Sequence, residues 1–236
     1  MVSARFSALA WTRTSTCSGP YSGTGETPSA CVPRTSTRSS GSIHVRLVDL
    51  QNLPDEFDCG TDDATLYSHT SRTLRLYAGG RLVSTANDSY ANFTVPATAG
   101  TYRVTYDTDY SKVLPFSTKT TTAWTFRSAP PAARNGTVPI PLLTVDYALP
   151  LNLLNQPDGD TATFTVARVA NAPAAKATGF KLWTSTDDGT TWQPATVKAL
   201  GHGKYSATLP TGHVSLRVDA RDSGGSRIEQ TIIHAY

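Results

Sequence analysis

The stretch KLWTSTDDGTTWQPATV, residues 181–197, decides the fold class. Phe180 and Leu182 share one face of an extended run and Trp183 takes the other, the two-residue period of a half-buried strand. The run stops at a cluster of Thr, Asp and Gly and resumes at Trp192, so the sequence predicts strand, tight turn, strand. An Asp in such a turn accepts hydrogen bonds from backbone N–H groups ahead of it. Gly189 permits a left-handed conformation, and Trp192 packs back over the hairpin. None of these roles needs a ligand, and Ser185, Asp187, Gly189, Thr191 and Trp192 are expected to build a structural turn, with Trp192 mostly buried.

The order of those five residues follows the Asp-box pattern S-x-D-x-G-x-T-W, a small hairpin motif found in unrelated β folds. Two other readings compete with it. Calcium at Asp187 and Asp188 would require the alternating oxygen ligands and terminal Glu of an EF-hand loop, which are missing here. Trp183 and Trp192 at this turn, or Trp124 elsewhere in the chain, would supply a stacking surface for a sugar or an aromatic peptide if their rings were exposed.

The rhythm of short strands and turns continues outward. PLLTVDYALPL, TATFTVARV, GFKLWTST, TWQPATV, GKYSATLP, HVSLRVDAR and SRIEQTIIHAY read as seven strands over residues 140–236, the spacing of an immunoglobulin- or fibronectin-like sandwich. Upstream, APPAARNGTVP (129–139) carries Pro and Gly with no apolar period and is the expected linker. Residues 42–128 form an earlier series. SIHVRLVDL places Ile43, Val45 and Leu47 on one face, and Gly79-Gly80 joins two strands in a hairpin. Leu74, Leu76 and Leu82 are expected in its core, and Tyr102, Val104 and Tyr106 alternate cleanly. Residues 1–41, rich in Ser, Thr, Arg, Gly and Pro, are expected to be disordered or loosely attached. The fold expected is all-β, two sandwiches in tandem, with no sequence repeat that aligns one half with the other.

Composition agrees with that class. Charged residues make up 17 % of the 236 and the formal net charge is +3, without a basic stripe that would follow a phosphate backbone, so nucleic acid is not an expected partner. No run approaches the length of a membrane span, and the chain is expected to be monomeric. The three cysteines, Cys17, Cys31 and Cys59, allow at most one internal disulfide and contain no C-x-x-C pair. His44, His69, His202, His213 and His234 are dispersed along the sequence and predict no metal cluster. The acidic groups Asp55, Glu56, Asp58, Asp62 and Asp63, Asp107 and Asp109, and Asp158 and Asp160 fall in expected loops. Solvation explains them, with calcium as the alternative. No cofactor is expected. G-x-S-x-G, P-loop and dinucleotide-binding motifs are absent from the sequence. The start, MVSARFSALAW, lacks the continuous apolar region of a signal peptide, so a secreted product is expected to begin elsewhere and this chain to be a fragment.

RLVSTANDSYANFTVPATAGTYRVTYDTDY, TAWTFRSA, VPIPLLTVDYALPLN, FKLWTSTDDGTTWQPATV and SRIEQTIIHAY resemble the region C-terminal to the catalytic domain in secreted subtilisin-like serine peptidases of actinobacteria. The resemblance covers residues 42–236. It implies secretion, a multidomain parent and a paired β-sandwich tail. It transfers no catalytic residue: the family's Asp, His and nucleophile motifs have no counterpart, GHGK (201–204) lacks the Thr of H-G-T, and GTGE (23–26) has no Ser. The expected function is therefore non-catalytic. The region would serve as a spacer, stabilising element or docking surface whose partner is the parent catalytic domain or another extracellular surface. The alternative is a polysaccharide- or cell-wall-binding module.

Overall fold

The computed structural model describes residues 36–47, 69–152, 157–169 and 171–236. Cys17, Cys31, Cys59, the acidic loop at 55–63 and all of the N-terminal segment before Ser36 lie outside them. The described chain is all-β, built of sixteen strands in three sheets.

The first half comprises β1 (Thr37–Arg38), β2 (Ser42–Arg46), β3 (Ser71–Ala78), β4 (Arg81–Ala86), β5 (Tyr90–Thr94), β6 (Gly100–Asp109), β7 (Lys119–Ser128) and β8 (Val138–Pro139). The second comprises β9 (Leu143–Ala148), β10 (Thr161–Arg168), β11 (Ala177–Ser185), β12 (Gln193–Ala195), β13 (Val197–Gly201), β14 (Lys204–Thr208), β15 (Ser215–Asp222) and β16 (Arg227–Ile233). Strands β5-β2-β1-β8 form one four-stranded sheet and β13-β14-β10-β9 another, while the order β12-β11-β15-β16-β7-β6-β3-β4 makes a single eight-stranded sheet.

Both halves are wired alike. In each, the first strands (β1 and β2; β9 and β10) pair in a small sheet, and the chain then crosses to the large sheet for a hairpin (β3–β4; β11–β12). It returns to the small sheet (β5; β13–β14) and then gives two strands to the large one (β6–β7; β15–β16), after which the first half alone adds a last strand, β8, to its small sheet. The halves meet through their last strands: every residue of β16 pairs antiparallel with β7, from Arg227↔Thr125 to Ile233↔Lys119.

At that seam one sheet continues from the first half into the second. An unpaired edge strand exposes a row of N–H and C=O groups, and here each half covers one such edge with the other's. The linker at 129–139 also contributes structure, since its last residues are β8 and pair with β1 (Thr37↔Pro139, Arg38↔Val138).

The core follows the strand period. Ile43, Val45, Leu74, Leu76, Val104 and Tyr106 are buried in the first half, and Phe164, Leu182, Leu216 and Val218 in the second, all within one apolar cluster. Tyr147, Phe164, Phe180 and Tyr205 form a row of rings, with Phe180 and Tyr205 stacked at 4.9 Å. Gly79 and Gly80 turn the β3–β4 hairpin with φ of 55° and 82°, as a two-residue turn requires. Leu82 departs from expectation: it pairs with Tyr77, on the face opposite Leu74 and Leu76, and on the outer edge strand it is 55 % exposed. The folded region also begins earlier than residue 42. Arg38 in β1 is buried, donates to the carbonyls of Pro96 and Thr98, and lies over the ring of Tyr102.

Candidate functional site

Between β11 and β12 the Asp-box residues close on one another. Asp187 Oδ1 accepts from the Ser185 hydroxyl (2.6 Å) and the Thr191 N–H (2.8 Å), while Oδ2 accepts from the Thr191 hydroxyl (2.6 Å). Ser185 Oγ accepts from the Gly189 N–H at 2.9 Å. The carboxylate thus receives donors from both ends of the loop, as an Asx turn does. These bonds favour its charged form and hold its pKa at about 2, the Ser185 hydroxyl contributing most and Thr191 next. Asp188 and Gly189 complete the turn with φ of 52° and 82°.

Gly189 has a second constraint. A Cβ there would lie 2.8 Å from Cδ1 of Ile233 and 3.1 Å from Cζ2 of Trp192, so the turn sits directly on β16 and on its own Trp. Trp192 is half-buried, less than expected, because its cover comes from the Arg217 guanidinium 4.1 Å from the ring centre rather than from the apolar core. Trp183 lies on the outer face of the large sheet, half-buried, beside Pro194 on one side and Arg217 on the other. Trp124 does not reach the surface. It is 1 % exposed and its indole N–H donates to the Leu143 carbonyl, which removes it from any binding surface. Its strand position points it inward with Thr122 and Phe126.

The fold also gathers residues that are dispersed in the sequence. His213, before β15, and His234, just after β16, bring Nδ1 and Nε2 within 2.9 Å, and His234 Nδ1 is 3.7 Å from Asp188 Oδ1. The Asp-box turn, the end of the seam and the two histidines therefore occupy one corner of the molecule. Sequence reading missed this pairing because the β15–β16 hairpin alone makes residues 213 and 234 neighbours. His202 is exposed at a turn with φ of 51°. It lines a shallow cleft of about 470 Å³ with Lys176 and Val166.

Asp107 and Asp109, expected in a loop, lie at the end of β6, and they and Asp160 have local partners. Asp107 pairs with Arg75 at 2.7 Å. Asp109 accepts the Ser111 hydroxyl and N–H, which lower its pKa, and lies 3.3 Å from Lys119. Asp160 accepts the Thr161 hydroxyl at 2.9 Å. Among the described residues no three His, Cys, Asp or Glu side chains converge as metal ligands, and no helix is long and apolar enough to cross a membrane.

The outer face of the large sheet carries a charge chain across the seam. Arg103 of β6 pairs with Glu229 of β16, Glu229 with Arg227, Arg227 with Asp219 of β15, and Asp219 with Arg221. The Arg227 contact is the largest cause of the lowered Asp219 pKa. No protein-family model matches the chain, and no curated protein matches it.

Proposed function

We propose that the chain is a non-catalytic accessory region, a rigid spacer or docking module of a secreted subtilisin-like peptidase. On this reading each half is an immunoglobulin-like unit. The observation that supports it best is the β7–β16 seam. Pairing two sandwiches edge to edge fixes their separation and orientation, which a spacer needs and a flexible tether cannot supply. Beneath the seam, Tyr147 donates to Gln230 Oε1 (2.7 Å) and Gln230 donates to Thr122 (2.9 Å), a buried chain that ties β9, β16 and β7 together.

The polysaccharide-binding alternative rests on Trp183, since Trp124 lies in the core. One set of assays distinguishes the readings. The purified chain is incubated with casein, with a fluorogenic peptide library and with a serine-directed fluorophosphonate, and is separately tested for retention on insoluble polysaccharides. The accessory reading expects no turnover, no stoichiometric serine labelling and no retention. Retention abolished by Trp183→Ala would establish the alternative, and labelling of one serine with loss of turnover would overturn both.

A further inference from the structure

We propose that His213 Nδ1 and His234 Nε2 form a two-nitrogen site for a divalent copper or nickel ion, with water completing the coordination. The two nitrogens are 2.9 Å apart. At a metal–nitrogen distance of about 2.0–2.1 Å, that separation subtends nearly a right angle at the ion, whereas a tetrahedral ion would hold the nitrogens about 3.3 Å apart. Right-angled nitrogen pairs belong to tetragonal and square-planar sites, the preference of Cu(II) and Ni(II). The rings are inclined at 83° with centroids 4.7 Å apart, closer than a straight N–H···N bridge would hold them. The two nitrogens share an N–H···N hydrogen bond, and an ion that displaces the bridging proton would meet one lone pair from each ring.

The backbone holds both residues in place. The His234 N–H donates to Ser215 Oγ (2.9 Å) and its carbonyl accepts from the Ser117 N–H (2.6 Å), at a φ of 58°. Val214, next to His213, is fully buried, and its N–H donates to the Tyr236 carbonyl. The edge of Phe116 flanks the His234 ring.

Asp188 supplies the outer contact. Its carboxylate, 3.7 Å from His234 Nδ1, favours the tautomer with the proton on Nδ1, so that Nε2 accepts from His213 Nδ1–H and turns its lone pair to the ion once that proton is displaced to solvent. His213 is exposed and the His234 side chain is 27 % exposed, which leaves a path for the ion and positions for water. No third protein ligand joins them among the described residues, so the coordination expected is two imidazoles and solvent.

Titration of the full chain with Cu(II) and with Ni(II), followed by calorimetry and, for copper, electron paramagnetic resonance, tests the site. One equivalent is expected to bind with a tetragonal signal coupled to two imidazole nitrogens. His213→Ala and His234→Ala should each weaken binding at least tenfold and Asp188→Asn several-fold, while His202→Ala leaves it unchanged. If His234→Ala fails to fold, His213→Gln on the exposed loop carries the test. Unaltered binding in the His213 variants, or no imidazole coupling in the parent, would overturn the proposal.

Discussion

The indole N–H of Trp124, in β7, donates to the carbonyl of Leu143, in β9, at 2.8 Å, so a strand of the first half is bonded directly to a strand of the second. Trp124 is buried between the large sheet and the neighbouring small one. Trp124→Ala is expected to cost about 3–5 kcal/mol, the range for truncating a buried Trp. Chemical denaturation checks this, and fluorescence and circular dichroism should report the loss in both halves together. A loss confined to one transition of two would indicate that the halves unfold separately.

The same seam contains the Tyr147–Gln230–Thr122 chain. Burial raises the Tyr147 pKa, so its hydroxyl remains a donor across the accessible pH range. Tyr147→Phe leaves Gln230 Oε1 without its donor and should cost about 1–3 kcal/mol, the penalty for an unsatisfied buried polar group. A double-mutant cycle with Gln230→Leu should show coupling, and strictly additive effects would show that the bond carries no stability.

Asp187 makes the Asp-box turn sensitive to pH. Its folded pKa of about 2 lies below the ordinary 3.8, so its contribution is complete above the unfolded value and disappears as pH falls through about 2. Comparing thermal midpoints of the parent and Asp187→Asn between pH 5 and pH 2 should give a difference that shrinks as the acid limit is approached. A constant difference would contradict the assignment.

Gly189→Ala meets two obstacles, a φ of 82° and a Cβ only 2.8 Å from Ile233. It should destabilise by more than about 1 kcal/mol, because the left-handed conformation and the contact with β16 both oppose a side chain. Asn at the same place tolerates the φ but not the contact. Equal stability of Gly and Ala variants would rule out both obstacles.

Much of the strand pattern was legible because two-residue alternation reports burial directly: Ile43 and Val45, Leu74 and Leu76, and Tyr102, Val104 and Tyr106 all turn inward. The Asp-box turn was legible for the same local reason, since its bonds run only between residues 185 and 191. What escaped was non-local. Nothing in TKTTTAWTFRSA or SRIEQTIIHAY says that these two strands pair across more than a hundred residues, and β16 would read the same if it closed a free-standing sandwich. TWQPATV, expected as one strand, divides at Thr196 into β12 and β13, which lie in different sheets. Leu82 falls outside the core because the two-residue turn at Gly79-Gly80 sets it opposite Tyr77, and alternation puts that pair on the face away from Leu74 and Leu76. Trp124, offered as a surface residue, is internal because β7 has neighbours on both edges and a sheet beneath it.

The seam itself can be measured as a distance. Spin labels at Leu82→Cys in β4 and Gln193→Cys in β12, with Cys17, Cys31 and Cys59 replaced by Ser, sit on the opposite edges of the eight-stranded sheet. Seven interstrand steps of about 4.8 Å and a stagger of about five residues, ~17 Å along the strands, place them about 38 Å apart before twist and label length are added. Pulsed dipolar spectroscopy should return one narrow distance in that range, the mark of two halves locked through β7 and β16. A broad or divided distribution would mean that the halves move independently, and would contradict the rigid spacer.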